Sequence, residues 1–169
     1  MKLTRRAMLA TAAGLMTAMF AIQSHAAGTV VKVSLWDKGA GSMDMLGKGM
    51  MLGMGMKGGD MMHATMGIDA MPQNLPAGEI TFEVTNDSKV MVHEMVLAPV
   101  KDPNQPLPYD KSSEKVDEDA AGHLGEVAEL EPGQSGALKV TLKPGKYILY
   151  CNIPGHYVLG MWTLVNVTS

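Results

Sequence analysis

The sequence predicts an all-β protein, a Greek-key β-sandwich of antiparallel strands. Several short segments are rich in valine, isoleucine, threonine and tyrosine, they alternate or run apolar, and turn residues separate them. The segments predicted as strands are 29–36, 79–85, 90–98, 125–130, 135–142, 146–151 and 161–167. Short strands at this spacing are typical of two packed antiparallel sheets.

The turns between the predicted strands have suitable chemistry. "NDSK" at residues 86–89, "EPGQSG" at 131–136 and "KPG" at 143–145 stand between apolar runs. In the last two, proline presets φ of one turn residue and glycine accepts a positive φ. The turn residues therefore support the predicted strand boundaries.

A charged stretch at residues 99–123 interrupts the strand pattern. It begins as a proline-rich connection and continues as a segment for which we predict a short helix at about residues 112–121. Such an excursion suits a long crossover between two sheets. The acidic run "EKVDEDAA" is interpreted as a solvated helix face or, alternatively, as a docking patch for a basic partner, which would raise the encounter rate more than the affinity.

A methionine-rich segment, residues 40–72, is the second interruption. Residues 41–71 hold ten of the 13 methionines that follow residue 26, together with many glycines, so we predict a flexible loop. Thioether sulfur prefers Cu(I) over hard ions, so the segment could capture Cu(I); alternatively, its methionines fill gaps over the sandwich. The predicted secondary Cu(I) ligands are Met43, Met45, Met54, Met56, Met61, Met62, His63 and Met66.

Residues 1–26 are predicted to be an export signal. They combine a basic start, an apolar run at residues 7–22 and small residues before a predicted cleavage site after Ala26. Arg5 and Arg6 also fit the twin-arginine type of signal. The apolar run is short for a membrane span, so we expect a periplasmic protein without stable membrane insertion.

Residues 27–169 are predicted to form one acidic domain. The chain has 14 basic and 17 acidic residues, and the signal contains three of the basic ones, which leaves a net charge of −6. Nucleic acid is not an expected partner, because binding a phosphate backbone requires clustered lysine and arginine. We expect a monomer.

Cys151 is the only cysteine, so it cannot form an intramolecular disulfide. It begins the stretch "CNIPGHYVLGM", in which His156 and Met161 follow at intervals of five residues. One loop therefore presents a thiolate, an imidazole and a thioether, and Pro154 and Gly155 stiffen it. The alternative is a buried cysteine that acts as a small hydrophobic residue.

His93 is the best candidate for a further ligand. In "VMVHEMVLA", strand alternation places it on the same face as Met95 and Leu97. Alone, it would be interpreted as a core histidine that a backbone carbonyl satisfies. Together with Cys151, His156 and a thioether, it completes a soft-to-borderline ligand set that suits copper in both oxidation states.

The pattern of His93 followed far downstream by Cys151, His156 and Met161 resembles that of the cupredoxins, the blue copper family that includes plastocyanin, azurin, auracyanin, sulfocyanin and rusticyanin. The loop spacing is closest to rusticyanin-like members, and the resemblance covers residues 79–167 plus the first strand. It implies one type 1 copper, with Cys151 as thiolate ligand, His93 and His156 as equatorial ligands and Met161 as the weak axial ligand.

Glu94 departs from the family pattern. Many cupredoxins place asparagine directly after the upstream histidine, where its amide ties the two ligand loops together. A carboxylate cannot donate those hydrogen bonds unless it is protonated. The tie between the loops, and with it any inference about the reduction potential, is therefore left open by the sequence.

The resemblance implies a carrier of single electrons rather than an enzyme. Apart from His25 in the signal, only His63 and His123 remain, and they are too few and too far apart to indicate a catalytic copper. Copper delivery or tolerance is the alternative function, because of the methionine-rich segment.

We expect a redox partner to dock near His156. Its exposed edge would be the point of electron exchange, and the apolar residues around it would form a small, transient interface. The predicted ring consists of Ile153, Pro154, Tyr157, Val158 and Leu159.

Overall fold

The computed structural model describes residues 28–169, which form a sandwich of two β-sheets and a small β-ribbon. The predicted export signal lies outside the described residues. The first sheet has the order β2-β1-β4-β9, with strands β1 (Thr29–Asp37), β2 (Met66–Met71), β4 (Gly78–Asn86) and β9 (Ser135–Leu142). The second has the order β3-β11-β10-β5-β8, with strands β3 (Asn74–Pro76), β5 (His93–Val100), β8 (Gly125–Leu130), β10 (Gly145–Tyr150) and β11 (Trp162–Thr168).

The predicted all-β sandwich is confirmed, but its sheets are mixed rather than purely antiparallel. Strand β1 runs parallel to β4, and β11 runs parallel to β3, whereas the other pairs are antiparallel. The parallel pair β1–β4 arises because the intervening chain crosses over the sandwich and returns to the end from which β1 started. The methionine-rich segment is part of that crossover.

The methionine-rich segment contains more regular structure than its composition predicts. It forms 3-10 turns at Ala40–Met45 and Met61–His63, and it ends in β2. Strand β2 pairs with β1 from Lys32 opposite Met71 to Asp37 opposite Met66. The residues of β2 have little intrinsic tendency to form a strand, and they do so because β1 supplies partners for their backbone hydrogen bonds. Local sequence therefore does not predict β2.

The predicted helix at residues 112–121 is wrong in extent. The structure has a single turn, α1 (Glu118–Ala121), which Asp117 caps by accepting from the Ala120 N–H at 3.0 Å. The ribbon of β6 (Tyr109–Asp110) and β7 (Lys115–Val116) precedes it. No helix among residues 28–169 has the length and apolar character needed to cross a membrane.

Strand β5 is buried on both faces because two apolar clusters lie on either side of it. Met95 and Leu97 face the cluster between the sheets, and Val96 and Ala98 face an outer cluster. The methionine-rich segment and the excursion at residues 99–123 contribute to the outer cluster. Consequently His93 and its neighbour Glu94, at the start of β5, are both buried.

Candidate metal centre

His93, Cys151 and His156 meet in the interior at one end of the sandwich. Nδ1 of His93 lies 3.2 Å from Nδ1 of His156, and Sγ of Cys151 lies 3.4 Å from the same His156 nitrogen. The three ligand atoms are all within 4.8 Å of one another. The side chains are 0%, 0% and 4% exposed, so water has almost no access to the donors.

Strand pairing brings the upstream histidine to the cysteine. Strands β5 and β10 are antiparallel neighbours with Val96 opposite Tyr150, so the start of β5 lies beside the end of β10. His93 is the first residue of β5, and Cys151 directly follows β10. The sheet therefore places side by side two side chains that are 58 positions apart in the sequence.

The loop after Cys151 is closed by its own backbone. The Cys151 N–H donates to the carbonyl of Met161 at 3.1 Å, and the Met161 N–H donates to the carbonyl of His156 at 3.1 Å. Met161 is fully buried and follows the left-handed Gly160, where φ is 102°. All three predicted ligands in this stretch therefore belong to one tightly closed loop.

Asp37, which the sequence pattern did not single out as a site residue, places its carboxylate behind His93. Its Oδ2 atom is 2.9 Å from Nε2 of His93, and the two side chains are 1% and 0% exposed. The sequence does contain a pattern that indicates this position. Asp37 continues the alternating apolar series on the inward face of β1, which consists of Val31, Val33 and Leu35. An aspartate that continues an inward apolar series requires a buried partner.

The electrostatics of the interior keep both imidazoles neutral. Burial, together with the nearby His93, lowers the pKa of His156 to about 4. Burial also lowers the pKa of His93, although Asp37 opposes that shift. Burial would raise the pKa of Asp37, but hydrogen bonds from Ser88, His93 and Gly39 together lower it. The result is an ionised carboxylate behind a neutral imidazole.

The Cys151 thiol is protonated when no ion is bound. Burial raises its pKa to about 12. A thiolate is the form that ligates metals, so an ion that binds here must displace a proton. Neutral imidazole nitrogens and a thiolate are borderline and soft donors.

The three donors fit a single ion. Metal–nitrogen and metal–sulfur bonds of about 2.0–2.3 Å around one ion separate the donors by roughly 3.5–4 Å, slightly more than the 3.2 and 3.4 Å measured here. The ion would therefore need only a small outward movement of the side chains.

Glu94 ties the two ligand segments together by accepting a hydrogen bond. Its Oε1 atom accepts from the backbone N–H of Asn152 at 3.0 Å, directly after the cysteine. A register shift in the β5–β8 pairing between His93 and Met95 places Glu94 at an irregular position of the strand. The tie that the sequence left open is therefore present, with a carboxylate acceptor in place of an amide donor.

Asn152 extends this link to the 99–123 excursion. Its amide bonds both the N–H and the carbonyl of Val116, at 2.7 and 3.0 Å, and donates to Glu118 at 2.7 Å. Burial raises the pKa of Glu94, and the carboxylates of Glu118 and Glu126 act in the same direction, whereas Lys115 opposes them. The excursion thus supplies structural support next to the cysteine as well as charged surface.

The expectation that His156 presents an exposed edge within an apolar ring is wrong. Tyr157, Val158 and Leu159 are at most 1% exposed, and Ile153 is only partly exposed; Pro154 alone in the predicted ring is an exposed residue. The residues are apolar because they are core residues.

The methionine-rich segment covers the ligand loop, which is the stretch 151–161 that contains Cys151, His156 and Met161. The Leu52 N–H donates to the carbonyl of Val158 at 2.7 Å, and the indole N–H of Trp162 donates to the carbonyl of Leu52 at 2.7 Å. Leu46 and Met43 press so closely on Gly155 that a Cβ there would lie 2.7 Å from a Leu46 methyl. Gly155 has a φ of 81°, so both the space and the backbone conformation require glycine.

The structure separates the methionines that were predicted as Cu(I) ligands. Met66 is buried in the cluster between the sheets, and Met54 is buried in the outer cluster. Met43 and Met45 pack against the first cluster and Met56 against the second. Only the 3-10 turn of Met61, Met62 and His63 is exposed, with Met62 84% accessible.

A second group of metal-binding side chains, Glu118, His123 and Glu126, lies at the surface beside α1. Nε2 of His123 is 3.9 Å from a carboxylate oxygen of Glu126. His123 is the only imidazole in this group of three, because His63 lies on a different turn, Met61–His63.

Comparisons with known proteins identify the fold. No protein-family model and no curated protein matches the chain. Auracyanin A, a "blue" copper protein from Chloroflexus aurantiacus, is similar at 18% identity over 84% of this chain and 100% of its own, with a TM-score of 0.50. Rusticyanin from Thiobacillus ferrooxidans is similar at 14% identity over 84% of this chain and 79% of its own, with a TM-score of 0.51. The chain therefore has the fold of the cupredoxins.

Replacing Glu94 by alanine should lower the free energy of unfolding of the metal-free protein by about 1–3 kcal/mol, because the buried N–H of Asn152 loses its acceptor. Glu94→Gln should cost far less, because the amide oxygen can still accept. Urea titration of the three proteins measures the difference. Equal losses in both variants would show that the hydrogen bond to Asn152 is not what Glu94 contributes.

Proposed function

We propose that this protein binds one type 1 copper ion and carries single electrons between redox partners. The observation that carries the proposal is the convergence of two imidazole nitrogens and one thiol within 4.8 Å in an interior site, with the buried, thioether-bearing Met161 bonded through its backbone to Cys151 and His156. Two nitrogens and one sulfur with a weak thioether neighbour is the ligand set of blue copper centres. Copper in such a site supplies a one-electron couple.

The protein's own residues provide a rigid frame for the proposed ligand set. His93 is held by β5 on one side and by Asp37 on the other, and Cys151 is held by Met161 and, through Asn152, by Glu94. A frame of this kind keeps the donors in place when the charge at the site changes. Small rearrangement is the condition for fast electron transfer.

Burial favours a carrier over an enzyme. The donors are at most 4% exposed, so a substrate could not contact a bound ion without displacing part of the protein. An electron can cross a thin layer of protein without such contact. The same burial favours retention of the ion over its transfer to an acceptor, which would require the ligand loop to open.

We propose that the partner approaches the end of the sandwich where Leu46 and Met43 lie over the ligand loop and where Pro154 of that loop is exposed. Leu46 and Met43 contact Gly155, the residue before His156, and both are themselves partly exposed, so this cover is one side-chain layer thick. The docking surface near His156 thus consists largely of the methionine-rich segment. We further propose, from the basic start and apolar run of residues 1–26, that the protein acts in the periplasm.

Copper handling is a second candidate function, and the exposed turn of Met61, Met62 and His63 favours it. Two thioethers and an imidazole on one turn could capture Cu(I) weakly. The other predicted thioether ligands are buried or packed against the two clusters. The candidate therefore depends on these three residues.

Visible absorption and spin-resonance spectra of the copper-loaded mature protein test the main proposal. We expect an intense absorption band from charge transfer between the Cys151 thiolate and Cu(II), together with reversible one-electron cycling. Cys151→Ser should remove the band, because a hydroxyl cannot replace the thiolate. A wild-type protein without this band, or one that loses copper on each reduction, would contradict a carrier role.

Leu46→Lys should slow electron exchange and leave the visible spectrum unchanged. Exchange between oxidised and reduced copies of the protein can be followed by NMR line broadening, which requires no known partner. A lysine on the proposed contact face places like charges opposite each other when two copies meet. Val30→Lys is the control, since Val30 is exposed near the opposite end of β1 from Asp37. Equal rates in both variants would rule out this docking face.

The reduced, copper-loaded protein should bind one additional Cu(I) if the exposed turn captures metal. Simultaneous replacement of Met61 and Met62 by leucine and of His63 by asparagine should then abolish that binding. Met71→Leu is a matched control, because Met71 is also exposed but lies at the far end of β2. If the unmodified protein binds only one copper ion in total, with no additional Cu(I), the copper-handling candidate is eliminated.

A further inference from the structure

We infer that Asp37 is a positioning residue of the metal site: its carboxylate fixes Nδ1 of His93 as the ligand atom and lowers the reduction potential of bound copper. The first half of this inference concerns the protein alone. The second half rests on the proposed function.

The contact between the two side chains is completely buried. Oδ2 of Asp37 lies 2.9 Å from Nε2 of His93, and neither side chain is more than 1% exposed. Without water, the imidazole has no alternative partner on that side. Hydrogen bonds to an ionised acceptor are about twice as strong as those between neutral groups.

The surroundings of the carboxylate consist of donors. The Gly39 N–H donates to Oδ1 at 2.6 Å, while His93 faces Oδ2. A carboxylate that already accepts from a backbone N–H at one oxygen accepts at the other as well, so the imidazole nitrogen that faces it, Nε2, carries the ring proton. Nδ1 then presents its lone pair toward Cys151 and His156 before any ion arrives.

The same hydrogen bond prevents rotation of the ring. A flip of the imidazole would point a carbon at Asp37 and leave a buried carboxylate oxygen without its donor, which is costly. Because β1 and β5 belong to different sheets, the contact also links the two halves of the sandwich at the site. The orientation of the upstream ligand is thereby set by a residue 56 positions away.

The negative charge should also act on the metal. A carboxylate behind a metal-bound histidine raises the basicity of the ring. The attraction between this fixed negative charge and the ion is greater for Cu(II) than for Cu(I), because the ion carries one more positive charge. The carboxylate therefore stabilises the oxidised form more than the reduced form. The reduction potential is lower than in a site where a neutral group accepts the hydrogen bond.

Asp37 also fixes the beginning of the cover over the site. Gly39, which donates to Oδ1, directly precedes the 3-10 turn Ala40–Met45. Leu46 and Met43, at the end of that turn, contact Gly155 beside His156. One carboxylate therefore orients a ligand and anchors the first turn of the segment that shields the other ligands.

The first experiment uses the metal-free wild-type protein and needs no variant. Nitrogen-15 NMR of the histidine side chains should show that His93 carries its proton on Nε2, with slow exchange of that proton, whereas the exposed His63 should exchange rapidly. A proton on Nδ1 of His93, or rapid exchange at Nε2, would overturn the positioning role. This result does not depend on whether the site binds copper.

The second experiment measures the reduction potential of copper-loaded Asp37→Asn. An amide is nearly isosteric but uncharged, and it cannot accept from both Gly39 and His93. Loss of such a partner typically costs about 10–100-fold in metal affinity. If Cu(II) loses tenfold more affinity than Cu(I), the potential rises by about 59 mV.

Asp69→Asn is the matched control, because it removes an exposed carboxylate from β2 in the same sheet as β1. Its potential should remain close to that of the wild type. A potential in Asp37→Asn that is unchanged, or that shifts no more than in Asp69→Asn, would overturn the effect on the metal. If Asp37→Asn does not fold, the NMR experiment on the wild type still decides the positioning role.

Discussion

The candidate metal site depends on one constraint. Its three polar donor atoms face one another in the protein interior, where water does not reach them, and the surrounding structure must hold them in that arrangement. Two imidazole nitrogens and a thiol lie within 4.8 Å of one another, and contacts behind them hold them in that arrangement. Asp37 holds the upstream imidazole, backbone hydrogen bonds close the downstream loop, and Glu94 links the two through Asn152. These contacts come from both sheets and from the long excursion, so the sandwich as a whole maintains the geometry.

Two carboxylates flank the donors in different ways. Asp37 accepts one hydrogen bond from the imidazole of His93 and another from the backbone N–H of Gly39, just before the methionine-rich segment begins. Glu94 accepts from the backbone next to the cysteine and lies near Glu118 and Glu126, whose charges raise its pKa beyond the effect of burial. Asp37, whose pKa is lowered, supplies negative charge where a cation is proposed to bind. Such surroundings stabilise the more highly charged state of the ion.

The methionine-rich segment is in large part a wall of the site. Its backbone bonds the ligand loop at Val158 and Trp162, its buried methionines complete two apolar clusters, and glycines allow close approach, as at Gly53 against Tyr157. Methionine suits this task because its unbranched side chain fills irregular gaps. The composition that indicates copper capture is thus explained mostly by packing, and among the predicted secondary ligands Met61, Met62 and His63 remain outside the two clusters.

The sequence by itself determined the sandwich and the candidate donors. Strand alternation is a local property, and the spacing of Cys151, His156 and Met161 belongs to one loop, so both can be read from neighbouring residues. Tertiary structure alone decided the partner of His93, the direction of the Glu94 hydrogen bond, the pairing of β2 and the burial of His156. Each of these depends on segments far apart in the chain, and local patterns do not encode which distant backbone will cover a loop or lie behind a ring.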